Sequence, residues 1–180
     1  MVYLFLADGF EELEALAPVD ILRRANIKVK TVSAGEKLTV LSSRKVQVAA
    51  DIGIGEINPD DLEMIILPGG QPGADNLYDN EKILDIIKSA HREGKYLAAI
   101  CAAPYILGKL GILNGKKAVC YPGYEKELTG ALISDEKVVC DGTVVTARAA
   151  GCATDFAFEL VSVLSGKKQS DSLRKAMLFD

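Results

Sequence analysis

The sequence contains one histidine and four cysteines, with no closely spaced cysteine pair. Each shortage removes a class of chemistry. Structural zinc sites use closely paired ligands, and Cys101, Cys120, Cys140 and Cys152 are too far apart in sequence to form such pairs, so no metal is expected. Structural disulfides are not expected in a cytosolic chain of this size, which leaves four free thiols. The net charge is −4, and no basic stripe is visible, so nucleic acid is not an expected partner. No stretch approaches the roughly 20 uncharged apolar residues of a membrane helix. The N-terminus, MVYLFLADGFEELE, lacks the basic start and cleavage site of a signal peptide. A soluble, cytoplasmic protein with no membrane partner is the expectation.

The 180 residues are 49% apolar and 26% charged, which suits one domain, residues 1–180, with a sizeable core. Val2–Leu6 is a continuous apolar run, as in a buried strand. A helical pattern follows through Leu13, Leu16, Ile21 and Leu22, with Pro18 expected to kink or interrupt it. Strands are expected at Ile27–Ser33, Glu63–Leu67 and Tyr96–Ile100, with a hairpin or edge ribbon within 38–50. Residues 81–93 form an amphipathic helix closed by Gly94. Cys101 opens a helix to about Leu110, and 117–120 is short and β-like. Residues 137–146, KVVCDGTVVT, place two β-branched runs around Asp141-Gly142, a two-residue hairpin turn. A helix over 154–164 stops near Gly166, and the last dozen residues are expected to add one more. Strands alternating with helices imply an α/β fold with a mainly parallel sheet covered on both faces and one β-hairpin. Ligands then bind beyond the carboxyl ends of the strands, where Asp8-Gly9, Gly69-Gly70, Cys101 and Tyr121 are expected to gather.

Cys101 lies in LAAICAAPYILG, residues 97–108. A strand, a cysteine and a small-residue helix repeat the logic of the nucleophile elbow, in which a tight turn exposes the reactive atom. The helix N-terminus is expected to lower the thiol pKa, against the alternative of a buried small hydrophobe. Backbone N–H groups of Gly70 and Ala102 are candidate oxyanion donors. A cysteine hydrolase normally also needs a histidine base. His91, the only histidine, is expected near the start of the strand that ends at Cys101, roughly 16 Å away at about 3.3 Å per residue. It is read as a solvated helix residue, which argues against a peptidase. Glu11, Glu12 and Glu14 cluster at the start of the first helix, where helix-dipole complementarity alone accounts for acids. A glutamate sharing a proton with the thiol would make a general acid/base pair.

The segments GFEELEALAPVDILRRANIKV, LPGGQPGADNL, AAICAAPYILGKLGIL and VVCDGTVVTAR resemble the ThiJ/PfpI superfamily, in the branch of the Parkinsonism-associated protein deglycase, over nearly the full length. The resemblance implies a flavodoxin-like three-layer sandwich and a homodimer. Cys101 matches the family's elbow cysteine, Glu14 the protonated acid bonded to it, and Gly70 and Ala102 the oxyanion donors. Arg24 and Arg44 match arginines close to the cysteine pocket near the dimer interface. Two departures stand out. The branch often has a histidine before proline where this chain has Tyr121-Pro122, and tyrosine is a poor proton shuttle near neutral pH. The family's Arg-Gly-Pro-Gly-Thr loop appears as Arg148-Ala149-Ala150-Gly151-Cys152, which puts Gly151 and Cys152 at the pocket border and makes Cys152 a candidate to resolve an oxidised Cys101.

The resemblance implies a cofactor-free enzyme acting on reactive carbonyls, either a glyoxalase converting methylglyoxal to lactate or a deglycase removing early glycation adducts. Its partner would be a small aldehyde or glycated substrate. The alternative is a redox-sensing stress protein or chaperone working through Cys101 oxidation. A peptidase or amidase ranks below both.

Overall fold

Every residue of the first strand, β1 (Val2–Leu6), is buried because it runs in the middle of a parallel sheet with strands on both sides. In the computed structural model, which describes residues 1–179, the chain continues into α1 (Glu12–Arg24) and β2 (Val29–Ser33). A small antiparallel ribbon follows, β3 (Thr39–Leu41) with β4 (Gln47–Ala49), then the short β5 (Ile52–Gly53). Next come β6 (Met64–Leu67), α2 (Gly73–Tyr78), α3 (Glu81–Arg92), β7 (Tyr96–Ile100) and α4 (Pro104–Lys109). The short β8 (Lys117–Ala118) pairs in parallel with β9 (Leu132–Ile133). The hairpin β10 (Val138–Asp141) and β11 (Val144–Ala147) leads into α5 (Ala153–Ser165) and α6 (Lys167–Ala176). The main sheet runs β10-β11-β7-β6-β1-β2-β5, parallel except for the β10–β11 hairpin.

Alternation along the strands builds three layers. On one face Tyr3, Phe5, Ile65 and Leu97 pack with Leu77, Ile83, Ile87 and Ile106 from α2, α3 and α4. On the other, Leu4, Leu6, Ile66 and Ala98 pack with Ile21, Leu22, Phe156 and Leu160 from α1 and α5. Each such large side chain contributes roughly 1.5–3 kcal/mol of burial, so these faces outweigh local helix propensity. Pro18 shows this. It sits buried inside a continuous α1, so it does not interrupt the helix. Its missing N–H forfeits one helical bond, and packing holds the helix together regardless.

Several expectations need adjustment. Leu13 and Leu16 are 59% and 38% exposed, so the helical apolar stripe is only partly spent on this chain's core. The helix after Cys101 starts at Pro104, with residues 101–103 forming a turn before it. The Asp141-Gly142 turn is displaced by one residue. Asp141 pairs with Val144, so Gly142 and Thr143 make the loop, with a positive φ of 62° at Gly142. Tyr121 follows β8, which belongs to the small separate sheet, and is not at the end of a main-sheet strand. His91, near the end of α3, is half-buried, and its Nδ1 is enclosed without a hydrogen-bond partner.

The carboxyl ends of β1 and β6 approach so closely that only glycine fits. A Cβ on Gly73 would lie 2.5 Å from the Phe10 nitrogen. Because the obstacle is backbone, it has little freedom to yield. Gly73→Ala is expected to destabilise the protein by about 2 kcal/mol, read as a lower urea midpoint at unchanged slope. An unaltered midpoint would show that this wall has slack.

Candidate active site

Cys101 has φ of +64°, a left-handed conformation that costs a non-glycine residue about 1–2 kcal/mol. Three hydrogen bonds hold it there. The Cys101 N–H donates to the Ala147 carbonyl at 2.9 Å, its carbonyl accepts from the Tyr121 N–H at 2.7 Å, and Ala103 N–H donates to Ile100 at 3.1 Å. The strain is therefore built in by β11, by the 121–124 turn and by the start of the helical turn. This is the elbow inferred from the sequence, and it leaves Cys101 partly exposed.

Glu14 is fully buried in the first turns of α1. Its Oε2 accepts the Gly69 N–H at 2.9 Å. Its Oε1 is enclosed with no partner in complete hydrogen-bond geometry, while the Cys101 thiol and the Ala150 N–H are the other groups acting on the carboxyl. Gly69 permits this juxtaposition: a Cβ there would lie 2.7 Å from Glu14 Oε2 and 2.8 Å from Cys101 Cβ. The other two acids of the cluster have separate tasks. Glu11 caps α1, its Oε2 accepting the Glu14 N–H at 2.8 Å. Glu12 accepts the hydroxyls of Ser42 and Ser43 and the Arg44 N–H. Burial works upward on Glu12, but the Ser42 bond and its companions outweigh it and hold the carboxyl below its usual range.

Burial, with the nearby Glu11 charge in support, pushes the Glu14 carboxyl up to about 7. Burial first, and then the Glu14 charge, pushes the Cys101 thiol up to about 12, while the N–H groups of Ala102 and Gly70 pull it down. This corrects the expected lowering by a helix N-terminus. The helical segment is short and begins three residues later, whereas the carboxyl is adjacent. Above about pH 7 the two groups therefore hold one proton between them, and below it two. Carboxylate with thiol and carboxylic acid with thiolate are the same charge state, related by one proton shift. Gly70 and Ala102 both direct N–H groups at the sulfur, and neither N–H is spent on a main-chain carbonyl among the described residues.

The remaining candidates are distributed unevenly. Arg44 reaches the start of α1 through Glu12. Arg24 lies ten residues beyond Glu14 on α1, about 15 Å along the axis, paired with Asp20 at 2.8 Å, so one chain does not bring it to the thiol. Gly151 and Cys152 follow Ala150 in a 3₁₀ turn, with Cys152 free and buried. The Tyr121 side chain is 47% exposed, and its link to Cys101 is through the backbone. Gly9 abuts Gly70, but Asp8 turns away. Its Oδ1 accepts the Leu41 N–H at 2.8 Å, and it lines a separate cavity of about 440 Å³ beyond β1 and β2. Among the described residues no group of three or more histidine, cysteine or carboxylate side chains is arranged to hold a metal. The Ala150 N–H and the Glu12 tether escaped sequence reasoning. Helix phase carried the signal separating Glu14 from its neighbours, since it shares a buried face with Pro18 and Ile21.

A carboxyl raised on folding stabilises the native state only while protonated. That contribution is complete below the unfolded value of about 4.5 and is lost as pH rises through about 7. Wild type is expected to lose about 3 kcal/mol relative to Glu14→Gln across that window, read from urea midpoints at several pH values. Parallel curves for the two proteins would contradict a raised Glu14.

Comparison with known proteins places this geometry. Residues 1–163 match the model of the DJ-1/PfpI family. Protein dj-1beta of Drosophila melanogaster is 34% identical over 175 residues, covering 96% of this chain and 94% of that protein. Protein DJ-1 homolog B of Arabidopsis thaliana is 36% identical over 174 residues, and the match spans only 40% of its length. Among solved structures, oxidized Toxoplasma gondii DJ-1 superposes with a TM-score of 0.94 at 33% identity, covering 99% of this chain and 97% of that one. Drosophila melanogaster DJ-1beta gives 0.92. The flavodoxin-like sandwich is shared with these structures, and the chain belongs to the DJ-1/PfpI family.

Proposed function

We propose that the protein is a cofactor-free enzyme that uses Cys101 on small reactive carbonyls, of glyoxalase or deglycase type. The observation that carries this reading is the buried Glu14 carboxyl set against the Cys101 thiol, beside two unspent N–H donors. As the sulfur attacks an aldehyde carbon, its proton passes to the Glu14 carboxylate. The new oxyanion lies against the N–H groups of Gly70 and Ala102, giving a hemithioacetal. With methylglyoxal, a proton then leaves the hemithioacetal carbon and another arrives at the neighbouring carbon, with Glu14 carrying protons. The resulting thioester is hydrolysed to lactate and free thiol. Net, water adds to methylglyoxal and no external oxidant or reductant is consumed. Tyr121 takes no part in proton transfer here.

The assembly proposed with this activity is a homodimer. Its support is the exposed pair Leu13 and Leu16 on α1, a costly apolar surface to leave in water. The proposed location is the cytoplasm, where four free thiols stay reduced. Among the described residues no helix is long and apolar enough to cross a membrane.

Lactate release from methylglyoxal is expected to fall at least ~100-fold in Cys101→Ser; equal rates would end the proposal. A second reading, oxidation sensing, is favoured by the same two N–H groups, which would bond the oxygens of an oxidised sulfur. Mild peroxide followed by peptide mass spectrometry is then expected to find Cys101 modified, with Glu14 taking the thiol proton as the sulfur reacts. An unmodified Cys101 among oxidised neighbours would remove that reading.

A further inference from the structure

The two N–H groups aimed at the Cys101 sulfur belong to different loops, and each loop fixes its own peptide plane. The Gly70 N–H shares a peptide with the Gly69 carbonyl, which accepts the Glu11 N–H at 3.0 Å. The Ala102 N–H shares a peptide with the Cys101 carbonyl, which accepts the Tyr121 N–H at 2.7 Å. The Gly69 N–H is held by Glu14 Oε2 and the Gly70 carbonyl by the Ala74 N–H, each at 2.9 Å, but all of these anchors lie on the α1 and α2 side and none ties this loop to the elbow. Something must keep the two loops in register.

Gln71 directly follows Gly70. Its Nε2 donates to Tyr124 Oη at 3.1 Å and to Asp75 Oδ1 at 3.1 Å. Tyr124 closes the turn that hangs from Cys101, its N–H bonding the Tyr121 carbonyl at 3.1 Å. Asp75 is held from a third side by the Tyr105 hydroxyl at 3.0 Å, and Tyr105 stands in α4, immediately after the elbow. The ring of Tyr105 in turn packs between those of Tyr78 and Tyr124, at centroid distances of 5.4 and 6.2 Å. Burial, and then the Asp75 carboxylate, push the Tyr105 hydroxyl up, which keeps it a donor.

We propose that Gln71 and Tyr124 form a clasp that holds the Gly70 and Ala102 N–H groups at a fixed spacing around the Cys101 sulfur. Both are positioning residues. Neither side chain touches the reacting atoms. The clasp closes a loop of contacts from Gly70 through Gln71, Tyr124 and Tyr121 back to Cys101, on the tyrosine-rich wall formed with α2 and α4. Opening it leaves each loop on its own anchors but unties one from the other, and the two N–H groups lose their common spacing around the sulfur anion. The role in catalysis rests on the carbonyl chemistry proposed above, whereas the effect on the thiol does not.

The test is the pH dependence of iodoacetamide alkylation at Cys101, followed by peptide mass spectrometry with exposed Cys140 as internal reference. No aldehyde is needed, so failure of the carbonyl reading would leave this result standing, and the converse. Gln71→Met and Tyr124→Phe are each expected to move the Cys101 profile up by about one pH unit, slowing neutral alkylation roughly tenfold, while Cys140 is unmoved. The double variant is expected to match Gln71→Met, because that change has already removed the bond lost in Tyr124→Phe, along with the bond to Asp75. Unshifted profiles, or shifts that add in the double variant, would overturn the clasp.

Discussion

Placing the Glu14 carboxyl out of water, one glycine away from a cysteine, is the constraint around which the molecule is arranged. A buried carboxylate is costly unless it is bonded or protonated, and here the N–H groups of Gly69 and Ala150 and a neighbouring thiol are what it has. The cost is met by sharing a proton. The surroundings serve that arrangement: Gly69 gives room, Glu11 takes up the Glu14 N–H, and Gly9, Gly70 and Gly73 let the loops after β1 and β6 lie against each other.

The strained turn at Cys101 is the complementary half. A left-handed cysteine persists only where its surroundings over-determine it, and here β11 holds its N–H while the 121–124 turn holds its carbonyl. The turn does this through backbone atoms, so the residue at position 121 is free to vary in side chain without loosening the elbow. The side chain there is a separate matter from the anchor beneath it.

Much of this was readable in the sequence, and what was not has physical causes. β7 was legible to the residue and α3 nearly so, because one is a short buried apolar run and the other a strong helical stripe. α2 was invisible, since six residues show too little periodicity. Pro18 misled because local propensity argues for a break that packing overrides. Leu13 and Leu16 were rightly marked apolar, but periodicity does not say whose surface covers them. In the site, Cys101, Gly70 and Ala102 were legible from their place after strands. The Ala150 N–H, the tether from Glu12 to Ser42 and Ser43 and the Gln71–Tyr124 bond join segments far apart in the chain, and no local pattern encodes such contacts.

That dispersion bears on how the protein comes into being. The atoms around the sulfur come from α1, the loop after β6, the elbow and the turn after β11, and the last of these is made well after the cysteine itself. A nascent or partly unfolded chain therefore carries an ordinary cysteine, and the pairing of its thiol with Glu14 exists only in the finished domain. That pairing is in this sense a certificate of complete folding, which the chain issues to itself.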